Sequence, residues 1–134
     1  MLGDKIGTES GSVTGQRVLS NPGGPPKIET SFKGTGTLLG ISVNDMGTYW
    51  SIARPDGTMY GEGQGVLMGA GGEMATWVGS GVGTMKKDGS VSYRGAIYYQ
   101  SASAPWLRLN AVASVFEYEV DAQGRTRSEN WEWK

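Results

Sequence analysis

A chain of 134 residues with no cysteine and no histidine is the size of one domain and can bury a core without disulfide staples. The two absences exclude thiolate chemistry, a Ser-His-acid triad and the commonest metal ligand. A net charge of -1 argues against nucleic acid as a partner, and the one adjacent basic pair, Lys86-Lys87, stands beside the turn signal Asp88-Gly89.

The first residues, Met1 to Gly7, lack the basic start and apolar run of a secretory signal. No apolar stretch approaches the ~20 residues of a membrane-spanning helix. The expectation is a cytoplasmic protein without membrane contact. Glycine stands out, with 23 residues where typical usage is about 7%. Helix interiors lose ~1 kcal/mol per glycine relative to alanine, so this load points to strands, bulges and tight turns.

In chain order, strands are predicted near Gly11–Leu19, Ile28–Lys33, Thr37–Val43, Thr48–Arg54, Thr58–Met68, Met74–Met85, Ser90–Gln100, Val112–Val120 and Arg125–Trp133. Turn signals separate most of them: Asn21 to Pro26, Pro55-Asp56-Gly57, Ala70-Gly71-Gly72, Asp88-Gly89 and Gln123-Gly124. Asn21 to Pro26 reads as a long loop inside one fold, so residues 1–134 form a single domain. Ser101 to Asn110, with Pro105-Trp106, is predicted as a short helical turn or a crossover loop. Eight or nine strands joined by hairpins suffice to close a sheet. The predicted fold is all-β, a small antiparallel barrel, closed or nearly closed, in preference to a sandwich.

Turn chemistry also predicts register. Taking Ala70-Gly71-Gly72 as a three-residue loop pairs Met68 with Met74, Gln64 with Val78, Glu62 with Ser80 and Tyr60 with Val82. Taking Asp88-Gly89 as a two-residue loop pairs Val82 with Gly95, Ser80 with Ile97 and Val78 with Tyr99. The apolar side of these ladders is expected to face inward, which sends Gly61, Gly63, Gly79 and Gly81 outward. Glu62 and Gln64 would then point into the barrel, with Ser80 opposite Glu62 and the phenols of Tyr60, Tyr93 and Tyr99 nearby. A carboxylate in an apolar interior is costly unless it is paired or keeps its proton.

Other motifs carry less. Gly61 to Gly65 and Gly79 to Gly83 have the wrong spacing for a dinucleotide fingerprint, and no helix follows them. Glu117 and Glu119 share one strand face, expected to be solvated, and no calcium-loop spacing is present. No cofactor or metal is expected. Phe116 opposite Trp131 reads as a cross-strand aromatic pair.

The Gly-rich hairpins from Gly61 to Gly95, with Arg108-Leu109-Asn110 leading into Val112 to Glu119, resemble small prokaryotic barrels of uncharacterised function. These are similar in architecture to allene oxide cyclase and, more distantly, to the calycins. The resemblance implies an eight-stranded barrel with an apolar cavity open at one end, often in a homo-oligomer; in the cyclase case, cavity shape steers the reaction. No catalytic residue carries over by alignment.

Three functions remain open on the sequence. The leading one is an interior site for an apolar or amphipathic small molecule, lined by Tyr60, Glu62, Gln64, Ser80, Tyr93 and Tyr99. The second is a cyclase or isomerase using protonated Glu62 as general acid. The third is a structural or assembly protein with a filled core and an oligomerising glycine-rich face. A homo-oligomer is expected from that face and from the five tryptophans.

Overall fold

Hairpin turns join every neighbouring pair of strands but one, and the last strand returns to the first. The computed structural model describes all 134 residues. Its strands are β1 (Leu2–Leu19), β2 (Lys27–Leu38), β3 (Ile41–Ala53), β4 (Thr58–Gly69), β5 (Met74–Met85), β6 (Val91–Ser101), β7 (Ala113–Val120) and β8 (Arg125–Trp133). Each is antiparallel to the next, and β1 pairs with β8, which closes an eight-stranded barrel. The exception to hairpin connection is a 3-10 helix, Ala104–Ala111, between β6 and β7.

Two segments differ from the sequence reading. The predicted strand Thr37–Val43 is instead the end of β2, a tight turn and the start of β3. Leu39 (φ 49°) and Gly40 (φ 79°) both take positive φ, as a two-residue type I′ turn requires. The aliphatic run hides this turn because Leu39 packs against the core, while its N–H donates to Ile6 O at 2.8 Å. The first strand also starts earlier, at Leu2, and runs 18 residues.

Register decides what faces inward. The β4–β5 ladder holds the predicted pairs Met68–Met74, Gln64–Val78, Glu62–Ser80 and Tyr60–Val82. The β5–β6 ladder is displaced by one residue from the prediction: Val82 meets Arg94, Ser80 meets Ala96 and Gly79 meets Ile97. The cause is the turn, where Lys86 N–H donates to Ser90 O, Gly89 N–H donates to Lys86 O, and Gly89 has φ 87°. Lys87-Asp88-Gly89 is therefore a three-residue loop with a left-handed glycine. A one-residue slip exchanges the two faces of a strand. Ile97 and Tyr99 are buried, and they sit opposite Gly79 and Trp77, not opposite Ser80 and Val78.

The expected face assignment is thereby reversed on β4 and β5, while β6 keeps its predicted inner face. Gly61, Gly63, Gly79 and Gly81 line the lumen, whereas Val78 is 56% and Val82 49% exposed. Tyr60, Glu62, Gln64 and Ser80 share that outer face by strand alternation. The glycine-rich face is consequently no surface on which another subunit could pack.

The hydrophobic core fills one end of the barrel. The 3-10 helix lays Trp106 and Leu109, both fully buried, over Ile6, Leu38, Val43, Leu67 and Ala75. Trp106 Nε1 donates to Leu38 O at 3.2 Å. Asn110 ties the helix to β6, its Oδ1 accepting from Ser101 N–H at 2.8 Å and its Nδ2 donating to Ser101 O at 2.9 Å. Burial of that order contributes roughly 2–3 kcal/mol per large side chain and plugs the barrel.

Candidate functional site

Above the plug the interior is built from aromatic rings laid against glycines. An eight-stranded barrel has just enough width for side chains to fill it, so a large ring on one strand needs a small residue opposite. A Cβ added at Gly47 would stand 2.7 Å from both the Phe32 and the Trp77 rings, and one at Gly83 2.8 Å from the Tyr93 ring. Trp77 lies over Gly65 so closely that no side chain fits there. Aromatic rings resting on glycines are thus the internal packing of this barrel.

Next to the plug, two acids face each other across β2. Glu9 on β1 pairs with Gly36 of β2, and Asp45 on β3 pairs with Gly34 of the same strand. Because β2 offers only glycines at these positions, the Glu9 side chain crosses it; a Cβ at Gly34 would come within 2.9 Å of Glu9 Oε1. The two carboxyls come close enough for each to influence the other's titration. Trp77 Nε1 donates to Asp45 Oδ1 at 2.9 Å.

No cation balances this pair. The residues lining the cavity include neither lysine nor arginine, and Arg108 reaches Glu132 (3.0 Å) at the plugged end. Burial, then the negative charge of Asp45 and its hydrogen bond, push the Glu9 carboxyl up to about 9. Burial likewise raises Asp45, while its bonds to Glu9, Trp77 and the Met46 backbone pull the other way. Near neutral pH the pair therefore shares one proton, Glu9 holding it and Asp45 accepting. Beside it, Asn130 Nδ2 donates to the buried Tyr99 hydroxyl at 2.7 Å. Burial, reinforced by Glu9 and Asp45, drives the Tyr99 phenol far up, so it stays neutral.

Further from the plug stand three tyrosines. Tyr49, Tyr93 and Tyr118 pack with ring centroids 5.7–6.2 Å apart, and Phe32 stacks against Tyr49 and Tyr118. Burial raises all three phenols. The Tyr118 hydroxyl oxygen is buried without a well-formed hydrogen bond. Between this layer and the acid pair lies a cavity of about 90 Å³, with Ile97, Phe116, Ser128 and the glycines of β4 and β5 in its wall. A single water needs about 10–15 Å³ on such a scale, so the space admits several waters or one compact organic molecule.

Of the residues expected to form the site, Tyr93 and Tyr99 line this cavity. Glu62 and Ser80 belong to its wall through their backbone, since their side chains face outward. Tyr60 and Glu62 form an exterior pair, the phenol donating to Glu62 Oε2 at 2.6 Å, with Trp50 packed on Tyr60 at 5.8 Å. Gln64 is exposed. The interior acid expected on β4 is absent there; the acids whose side chains reach the cavity are on β1 and β3.

Glu9 and Asp45 escaped the sequence reading because both fell outside the predicted strands, Glu9 before the first of them at Gly11 and Asp45 in the gap 44–47. A parity signal was present. Gly7, Glu9 and Gly11, and likewise Val43, Asp45, Gly47 and Tyr49, alternate along their strands, placing each acid on the face of its glycines. No group of three His, Cys, Asp or Glu side chains converges anywhere in the structure to hold a metal ion.

No family model matches the chain, and no curated protein sequence matches it. Solved structures do match. A conserved protein of unknown function from Rhodopseudomonas palustris superposes with a TM-score of 0.83 at 13% identity, over 99% of each chain. A β-barrel-like protein from Acinetobacter baumannii gives 0.84 at 11% identity, over 100% of this chain and 96% of that one. An enzyme from Penicillium herquei gives 0.65 at 13% identity, over 98% and 96%. These likenesses establish the fold: a small barrel of a kind found in proteins of unknown function. None of the names mentions allene oxide cyclase.

Proposed function

We propose that this barrel binds a compact amphipathic molecule in its interior. The observation that carries the reading is the cavity itself, which is bounded on one side by the Glu9 and Asp45 carboxyls, with no basic side chain, and elsewhere by aromatic rings and glycine backbone. A core built only for stability gains from filling space with aliphatic side chains; two buried acids without a cation cost free energy. Largely apolar walls with a few convergent polar groups are the usual make-up of a small-molecule site.

The test uses three compounds of similar size and different charge: tetramethylammonium, tert-butanol and pivalate. Saturable binding of at least one by calorimetry, abolished by Ser128→Leu, which fills the cavity from β8, supports the site. Absence of binding by all three, or binding unchanged in Ser128→Leu, overturns it.

A catalytic reading keeps the same residues in different roles. Glu9, holding a proton beside Asp45 in a largely apolar space, has the form of a general acid for isomerisation or cyclisation, the part the sequence reading gave to Glu62. The Penicillium herquei barrel, called an enzyme, is compatible with this reading. A homo-oligomer, if formed, would use the outer face of β4–β6, where Val78, Val82 and Tyr98 are about half exposed.

A further inference from the structure

We propose that the interior site selects a small organic cation, an ammonium group whose charge lies against Glu9 and Asp45 and whose carbon substituents lie among Phe32, Tyr49, Trp77 and Tyr118. The inference rests on the reading of the interior as a ligand site and names the chemistry of its occupant.

Charge is the first argument. The cavity presents two carboxyls and no basic side chain, and the inward acid of β8, Glu132, is already matched by Arg108 at the plug. An anion would meet uncompensated negative charge there, whereas a cation supplies the missing counter-charge in a low-dielectric space. The rings are the second. Phe32, Tyr49, Trp77 and Tyr118 all line the cavity, and they pack as one aromatic cluster, the other three rings 5.6–6.2 Å from Phe32. Ring faces are electron-rich, and cages of this kind hold quaternary and alkylated ammonium groups. The third is an under-used acceptor: the Tyr118 hydroxyl oxygen is buried, belongs to a residue lining the cavity, and makes no well-formed hydrogen bond within the protein.

Proton balance gives the proposal a distinctive signature. Entry of a permanently charged cation favours two ionised carboxylates, so the proton shared by Glu9 and Asp45 leaves to solvent, one per cation bound. The titratable groups facing the pair are the phenols of Tyr49 on β3, Tyr93 and Tyr99 on β6 and Tyr118 on β7. All are raised above their ordinary range and stay neutral below pH 10. β2 and β4 offer glycines and apolar residues, β5 Trp77, and β8 Ser128 and Asn130.

The experiment is calorimetry of the full chain with tetramethylammonium chloride, against sodium chloride at equal ionic strength, from pH 6 to 8.5. Its charge does not titrate, so any pH dependence belongs to the protein. The expected result is affinity rising by up to about tenfold per pH unit, with release of one proton. Tert-butanol is expected to bind at least tenfold more weakly, without pH dependence, and pivalate more weakly still. Glu9→Gln should remove the pH dependence, and Asp45→Asn should weaken the cation at least tenfold. The wild-type pH series stands even if neither variant folds. Tert-butanol binding as tightly as tetramethylammonium, or cation binding that does not vary with pH, overturns the cation class while the interior site survives. Failure of all three compounds overturns both readings together.

Discussion

Glu9 and Asp45 sit on strands that are not neighbours, and they meet because the strand between them presents Gly36 and Gly34 to the lumen. Any side chain on that stretch of β2 would compete with Glu9 for the space. A Cβ at Gly34 would approach Glu9 Oε1 to 2.9 Å, and that oxygen is at the end of a flexible side chain. Gly34→Ala is therefore expected to fold while displacing Glu9 from Asp45. Carbon-detected NMR titration of the Glu9 carboxyl should show its midpoint falling below the wild-type value of about 9; an unchanged midpoint would show that the two acids do not depend on the glycine gap.

The pH dependence of stability follows from the same pair. The Glu9 carboxyl is raised from 4.5 to about 9 by burial and by Asp45, so the folded protein holds a proton that the unfolded chain has lost. Its contribution is fully present below about 4.5 and is lost progressively as pH rises through about 9. Urea unfolding at intervals between pH 5 and 9 should show stability declining with pH. Glu9→Gln keeps a donor toward Asp45 without the titration. It should decline less steeply and be the more stable protein at pH 9; parallel curves for the two proteins would count against the shared proton.

The plug is expected to be the most sensitive part of the core. Trp106 is fully buried and its indole N–H is satisfied by Leu38 O. Trp106→Ala removes a large ring and leaves that carbonyl without its donor, at a cost of about 3–5 kcal/mol. Guanidinium unfolding measures the loss. Hydrogen exchange should show faster exchange concentrated at the plug-side ends of β3, β5 and β6.

Self-association is a separate question, answered by the outer face. Val78 and Tyr98 are directly paired across β5 and β6, and each is about half exposed. Light scattering at micromolar concentration is expected to report a multiple of the monomer mass for the wild type and the monomer for Val78→Lys. A wild-type monomer mass throughout would remove the oligomer.

Local chemistry made much of the barrel legible. Gly-rich turns announced the hairpins of β4, β5, β7 and β8, the β4–β5 register followed from Ala70-Gly71-Gly72, and Pro105-Trp106 marked the one helical segment. These are short-range features, fixed by backbone conformations that few residues adopt. Turn length already lay at the edge of what could be read: Lys87 belongs to the β5–β6 loop, and that single residue, with β6 correctly facing Ile97 and Tyr99 inward, exchanged the faces of β5 and of its partner β4. Hydropathy could not repair the error. In a narrow barrel the inward face is selected by volume, so glycines go inside to seat rings while Val78 and Val82 remain outside. The acid pair lay further still from the sequence. Residues 36 positions apart became partners only when β1, β2 and β3 were laid side by side, because proximity across a glycine strand is a property of the closed sheet and of neither segment alone.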